Sequence, residues 1–279
     1  MIFVIAALFV WAAGWWLNVI LATKPDFKAG PVLAPINFGI VLIIMWELLV
    51  KGLEVSPVIL PPPTAIAVTF VERFDILKVD FIQTFVKGAL SGYLIGCASA
   101  VLIAIAIDKS SFLQRGLLPV GNFMAALPII GIAPILVMWF GFDWHSKAAV
   151  VVAMVFFPML VNTVQGLQAT SVMQRDLMQT YAAGYFQSLL KLRLPAAMPF
   201  IFNGLKTTTT LALIGAIVAE FFGSPIKGMG FRISTEVGRL ALDMVWAEIT
   251  VAAMAGSAFY GTVAMIEKMV TFWHPSQRG

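Results

Sequence analysis

The chain alternates long apolar runs with short polar breaks. About twenty apolar residues span a bilayer as a helix. On that measure the pattern predicts crossings near Ile2–Leu21, Val32–Val50, Phe81–Ile107, Leu117–Phe140, Ala148–Leu167, Pro195–Phe222 and Val245–Phe272. Nothing resembles the short alternating segments of a β-barrel. The fold class expected is all-α, a polytopic transmembrane helical bundle. The first run has no basic flank before it, and Trp15 and Trp16 interrupt it. It reads as a retained spanning helix rather than a cleaved signal.

Two breaks have patterns of their own. Between the second and third runs, "SPVILPPPTAIAVTFVERF" cannot be helical through its prolines up to Pro63. Thr64 is then expected to cap a short interfacial helix with Ala65, Val68 and Val71 or Phe70 on one face. The second break, residues 170–194, is longer and more polar. Met173, Leu177, Met178, Tyr181, Tyr185, Phe186 and Leu189 recur at steps of three and four, an amphipathic helix signature. Ala182-Ala183-Gly184 predicts a bend between two short helices, and Leu194-Pro195 predicts the end of the element.

Composition fixes the class. Of 279 residues, 60% are hydrophobic and only 11% charged, against about a quarter charged in a soluble domain. Mean hydropathy is +0.94. The net charge of +4 is spread over loops and is no nucleic-acid footprint. With residues 170–193 inside, Lys24, Lys28, Lys109, Arg115, Arg175, Lys191, Arg193, Lys268 and Arg278 share the inner side. The N-terminus is then expected outside and the C-terminus inside.

Catalytic chemistry has no foothold. Cys97 is a single cysteine, read as a packing residue, and His145 and His274 have no metal-ligand spacing. Gly223 and Gly228 have the step of a phosphate loop, but Met229 follows where lysine is needed. The fourth run carries Pro119, Pro128 and Pro134 with Gly121 and Gly131. Such a span belongs inside a bundle, as a pathway lining or as a kinked packing helix. Among intramembrane polar groups, Glu47 is expected to reach the interface, Lys87 to extend to the outer surface or attract an anionic cargo, and Lys206 to extend toward the cytoplasm. Glu220 reads as a gate or as an acid holding the following loop. Thr207 and Thr208, in "TTTT", line a polar pathway or bond to their own helix.

The polar break admits three readings: a solvated interfacial loop, a docking helix for a partner, or a gate of a secondary transporter. Its residues resemble the cytoplasmic loop of inner-membrane permeases of ABC importers, whose pattern ends in Leu-Pro. Asp176 falls at the acid of that pattern, Leu177 and Met178 at its alanines, Ala182 at its glycine, Leu192 at its isoleucine, and Leu194 and Pro195 at its end. "LPPPTAI", "ALPIIGIAPILVMWFGF" and "LPAAMPFIFNGLKTTTTLALIGAIVAEF" resemble the nitrate/sulfonate/taurine branch.

The resemblance implies a permease domain at 31–279 with an extra helix at 1–30. It implies a coupling loop formed by Asp176, Leu177, Met178, Tyr181, Ala182, Ala183, Gly184, Leu192, Leu194 and Pro195. Pro128, Pro134, Thr207, Thr208 and Glu220 become pathway or gate residues. Its partners would be a cytoplasmic ATPase dimer carrying ATP and Mg, an extracytoplasmic binding protein, a second copy of the chain, and lipid. No cofactor, metal or catalytic residue is expected here. The branch carries nitrate, sulfonates, taurine and heterocyclic vitamin precursors. "EFFGSP" and the tail "FWHPSQRG" resemble permeases for pyrimidine precursors or riboflavin.

Overall fold

The structure, a computed structural model, describes residues 1–23, 29–110, 116, 119–120, 123 and 128–273. His274 and several of the cations used to orient the chain, Lys24, Lys28, Arg115 and Arg278, lie outside them. In chain order the helices are α1 Ile2–Thr23, α2 Gly30–Gly52, α3 Pro63–Glu72, α4 Phe74–Asp108 and α5 Ile129–Phe140. They continue with α6 Trp144–Gln168, α7 Val172–Thr180, α8 Tyr185–Phe222, α9 Met229–Gly238 and α10 Leu242–Val270.

The all-α bundle expected from the pattern is what forms. Among the described residues six helices are long and apolar enough to cross a membrane: α1, α2, α4, α6, α8 and α10. The fourth expected crossing is represented by α5, whose 12 residues are too few to span. Most of its first half, including Gly121, lies outside the described residues. The third and sixth crossings are longer than the apolar runs, beginning at Phe74 and Tyr185, and each contains a π-helical stretch, Ile82–Leu90 in α4 and Leu189–Arg193 in α8.

Contacts divide the chain into two compact units. The first comprises residues 1–77 and 233–249. In it α1 and α2 form an antiparallel hairpin. Asn37 donates to the Gly14 carbonyl at 3.1 Å and to Asn18 Oδ1 at 3.0 Å, and Gly14 admits Val41 where a Cβ would collide. Polar side chains matched across a small-residue crossing are the usual glue between spanning helices.

Glu47 lies at the first turn of α3. Its carboxylate accepts from the Thr64 amide at 3.0 Å and from Thr64 Oγ1 at 2.8 Å, with Lys51 at 2.5 Å. The first turn of α3 is therefore held by an acid from α2, not by Thr64 capping its own helix. An anion at a helix N-terminus satisfies an orphan amide and complements the dipole. The packed face of α3 is Ile66 with half-buried Thr69 and Phe70, while Val68 and Val71 are exposed. Thr69 is turned inward by a 2.6 Å bond to Asp243.

The second unit comprises residues 78–232 and 250–279. Its core is α6 sandwiched by α4 and α8. Gly92 and Gly96 of α4 lie against Val151 and Val155, and Gly166 and Gly204 bring α6 and α8 together at Ala197 and Met159. Cys97 is buried in this core, 3.5 Å from Thr208, as a packing residue would be.

Candidate functional site

The polar break folds as a compact, well-capped motif. Ser171 Oγ accepts from the Gln174 amide at 3.2 Å, and the Gln174 side chain accepts from the Ser171 amide at 3.0 Å. This reciprocal capping box starts α7 sharply. At its other end the Ala182 amide bonds the Gln179 carbonyl at 2.8 Å, and the Ala183 amide bonds the Met178 carbonyl at 3.0 Å. That pair of bonds is a Schellman motif, whose turning residue is left-handed. Ala182 has φ of 51°. The alanine at the family's glycine position therefore makes the glycine-type turn. Gly184 follows in an extended conformation and begins α8, its amide donating to Gln187 Oε1 at 3.1 Å.

None of α7 is buried. Met173, Leu177 and Tyr181 are largely exposed, Met178 is half-buried, and Asp176 is exposed. The apolar face seen in the sequence thus divides in two. Its first part faces outward. Tyr185 and Leu189 of the second part pack into the unit, with Leu189 only 4% exposed.

Beneath the motif three helix ends converge. Arg193 donates from both terminal nitrogens to Asp108 at 2.5 and 2.6 Å, and from Nε and one terminal nitrogen to the Leu167 carbonyl at 3.1 and 3.0 Å. Tyr185 donates to the same Asp108 at 3.0 Å. Lys109 lies over the rings of Tyr185 and Phe186. Asp108 ends α4, Leu167 closes α6 and Arg193 belongs to α8, so one guanidinium ties all three.

Leu194-Pro195 does not end the element, contrary to expectation. The helix runs unbroken from Tyr185 to Phe222. Proline excludes the usual bond and crowds the carbonyl four residues back. The wider π turn at Leu189–Arg193, closed by the Leu194 amide on the Leu189 carbonyl, lets the helix continue through it. Leu192 and Leu194 are half-buried along it.

A second polar cluster lies at the far end of α8. Glu220, 1% exposed, accepts from Thr84 Oγ1 at 2.9 and 2.8 Å and from the Gly230 amide at 2.8 Å. Asp80 accepts from the Gly228 amide at 2.6 Å and pairs with Arg232 at 2.8 Å. The Met229 amide donates to Thr84 at 2.7 Å. Lys147, fully buried, donates to the carbonyls of Phe142 and Gly223. Beside it Asp143 caps α6 through the Trp144 amide at 2.8 Å, which holds its carboxyl below the usual carboxylate range.

Of the two roles expected for Glu220, the geometry shows the acid holding the following loop. Lys147 and Asp80 escaped the sequence reading as loop charges. The four-residue steps Asp80–Thr84 and Asp143–Lys147 were the available signal.

The expected pathway threonines do not gather with it, whereas Ala133, next to Pro134, packs with Val150 and with Ala219 beside Glu220. Thr207 and Thr208 bond their own helix at the Asn203 and Gly204 carbonyls, 2.9 and 2.8 Å, and lie roughly 18 Å along α8 from Glu220. Pro128 precedes α5 and Pro134 lies within it. Lys87 is exposed, as expected. Lys206 instead forms an ion pair with Glu267 at 2.6 Å, since a partner within reach replaces a long excursion to water. A groove of about 420 Å³ between α4, α6 and α8, near Tyr93 and Leu205, presents apolar side chains. The Tyr93 hydroxyl is occupied by the Leu205 carbonyl at 3.1 Å.

Residues 92–270, from within α4 to the end of α10, match the family described as binding-protein-dependent transport system inner membrane component. The chain belongs to this family. It is a multi-pass inner-membrane permease subunit of an ABC importer, which removes the secondary-transporter reading. This permease is 28% identical over 249 residues to the formylaminopyrimidine transport permease protein ThiX of Halalkalibacterium halodurans, covering 88% of this chain and 97% of that protein. It is 28% identical over 259 residues to the putative aliphatic sulfonates transport permease protein SsuC of Bacillus subtilis, with 92% and 93% covered. Against the riboflavin transport system permease protein RibX of Chloroflexus aurantiacus, identity is 25% over 237 residues, with 84% and 88% covered.

Proposed function

We propose that residues 170–194 are the joint through which a separate cytoplasmic ATPase drives this permease. The observation that carries the reading is α7. It is sharply capped at both ends, exposes Met173, Leu177 and Tyr181, and leads through the Ala182 turn into α8, whose Tyr185 and Arg193 join the three-helix clasp at Asp108. An exposed amphipathic helix on a rigid base is the form a helix-in-groove contact takes. Closure of two ATPase subunits around ATP and Mg would move α7, and the clasp would carry that movement into α4, α6 and α8 as a rigid-body shift. A second copy of the chain completes the pathway. An extracytoplasmic binding protein delivers cargo, as the family description implies for the family at large.

In this reading the C-terminus and the 170–194 loop are cytoplasmic and the N-terminus is outside. Residues 31–279 form the permease domain and α1 is an addition to it. The cargo is a heterocyclic vitamin precursor of the pyrimidine or flavin kind. Two relatives named for such solutes support it. So does the exposed polar face of α8, where Asn203, Thr207 and Thr210 are uncharged and Lys206 is neutralised by Glu267. Nitrate, sulfonates or taurine form the competing class, which one relative's name supports. The test is uptake by cells expressing the complete transporter. Labelled hydroxymethyl- or formylaminopyrimidine or riboflavin should accumulate, and uptake of sulfonate or taurine alone would overturn the cargo assignment.

A further inference from the structure

Between α8 and α9 the chain makes a short knuckle, Ser224-Pro225-Ile226-Lys227. Its base is among the most tightly fixed places in the second unit. Three successive amides, of Gly228, Met229 and Gly230, are bonded by Asp80, Thr84 and Glu220, all three of them buried. On the other side Lys147 binds the Gly223 carbonyl. A Cβ at Gly228 would run into the Glu220 carboxylate, and Gly228 has φ of 116°.

The tip is the reverse of its base. Ile226 is 75% exposed, in the left-handed region with φ of 60°. A β-branched residue is a poor choice for that conformation, which glycine, asparagine or aspartate takes with less strain. Such strain persists only where surrounding structure enforces it, and it clusters at functional positions. Here the enforcing structure is the buried network, with Ser224 Oγ bonded to the Lys227 carbonyl across the knuckle. Folding cost has been spent to hold one apolar side chain outward, next to the exposed cation of Lys227.

The position fixes the side. Arg193 and Ile226 lie at opposite ends of α8, whose 29 residues from Leu194 to Phe222 extend roughly 40 Å. That is enough to cross the bilayer, so the knuckle and the 170–194 loop lie on opposite faces of the membrane. A lipid surface is fluid and gains little from a rigid, strained presentation. A folded protein gains directly, because a preorganised contact loses less entropy on docking.

We propose that this knuckle is a docking point for the extracytoplasmic binding protein, which receives Ile226 in an apolar depression with acidic groups facing Lys227. The proposal rests on the orientation given above.

The experiment places the photo-crosslinking residue p-benzoylphenylalanine at position 226 in the complete transporter, in cells making all its components. Irradiation should join this chain to an extracytoplasmic solute-binding protein, identified by mass spectrometry. Adducts on lipid alone, or on no other molecule, overturn the docking role while leaving the permease reading intact. An adduct on the cytoplasmic ATPase overturns the orientation itself. In purified transporter, Ile226→Asp should raise the concentration of binding protein needed to stimulate ATP hydrolysis by about tenfold or more, as loss of an interface anchor does. Hydrolysis without binding protein should be unaltered. Unchanged stimulation in this variant would also overturn the proposal.

Discussion

Arg193 and Asp108 hold each other through two parallel hydrogen bonds, at 2.5 and 2.6 Å, with the Asp108 side chain 1% exposed. The pair joins the start of α8 to the end of α4, and the Leu167 carbonyl draws α6 into the same grip. Breaking one side of a buried pair typically costs about 3–5 kcal/mol, because the other charge is left without compensation. We expect Asp108→Asn to lower the melting temperature of the purified transporter and to cut uptake per ATP hydrolysed. Arg193→Lys keeps the charge but loses the fork, and should lower that ratio with a smaller loss of stability. Uptake per ATP unchanged in both variants, measured in proteoliposomes, would remove the clasp from the transmission path.

The turn at Ala182 makes a prediction of opposite sign. Alanine in the left-handed region costs about 1 kcal/mol relative to glycine. Ala182→Gly should therefore stabilise the end of α7 by roughly that amount, and Ala182→Val should destabilise it. Hydrogen exchange of the Ala182 and Ala183 amides checks both, with slower exchange expected in the glycine variant.

At the other end of α8, Gly228→Ala should be among the most damaging single-methyl changes in the chain. It forces a side chain into the Glu220 carboxylate at a φ of 116°. Glu220→Ala removes the acceptor of both the Thr84 hydroxyl and the Gly230 amide, and each buried orphan costs about 1–3 kcal/mol. Both variants should show a lower melting temperature in detergent. A wild-type melting curve for either would contradict the role of this network as the base of the knuckle.

Orientation has its own check. A cysteine replacing exposed Gln187 should react with an impermeant maleimide only from the cytoplasmic side. Labelling in intact cells would reverse the topology.

Spanning helices were legible because their signal is simple: about twenty apolar residues leave little alternative. The capped helix at Val172–Thr180 was legible through its three- and four-residue steps. The continuation of α8 through Pro195 was not, since a π turn has no composition of its own and proline usually stops a helix. The bend at Ala182-Ala183-Gly184 was legible, but the left-handed conformation of Ala182 was not, as alanine gives no turn signal. Asp108, Lys147 and Asp80 were hidden for a different reason. Each stands near a helix end, where a charge ordinarily faces water. Only the fold shows that Arg193, the Gly223 carbonyl and the Gly228 amide wait there. Lys206 was misread in the same way, because its partner Glu267 is sixty-one positions away on another helix.

The central claim is that α7 is the ATPase contact, and the exposed Tyr181 tests it most directly. Tyr181→Asp places a charge on the outward apolar surface without touching the Asp108 clasp. Co-purification of the ATPase subunit with the membrane-embedded permease is the measurement, with binding-protein-stimulated ATP hydrolysis as its readout. The variant should stay in the membrane but lose the ATPase subunit or its stimulation. Full retention of the subunit with unchanged stimulation would contradict the account.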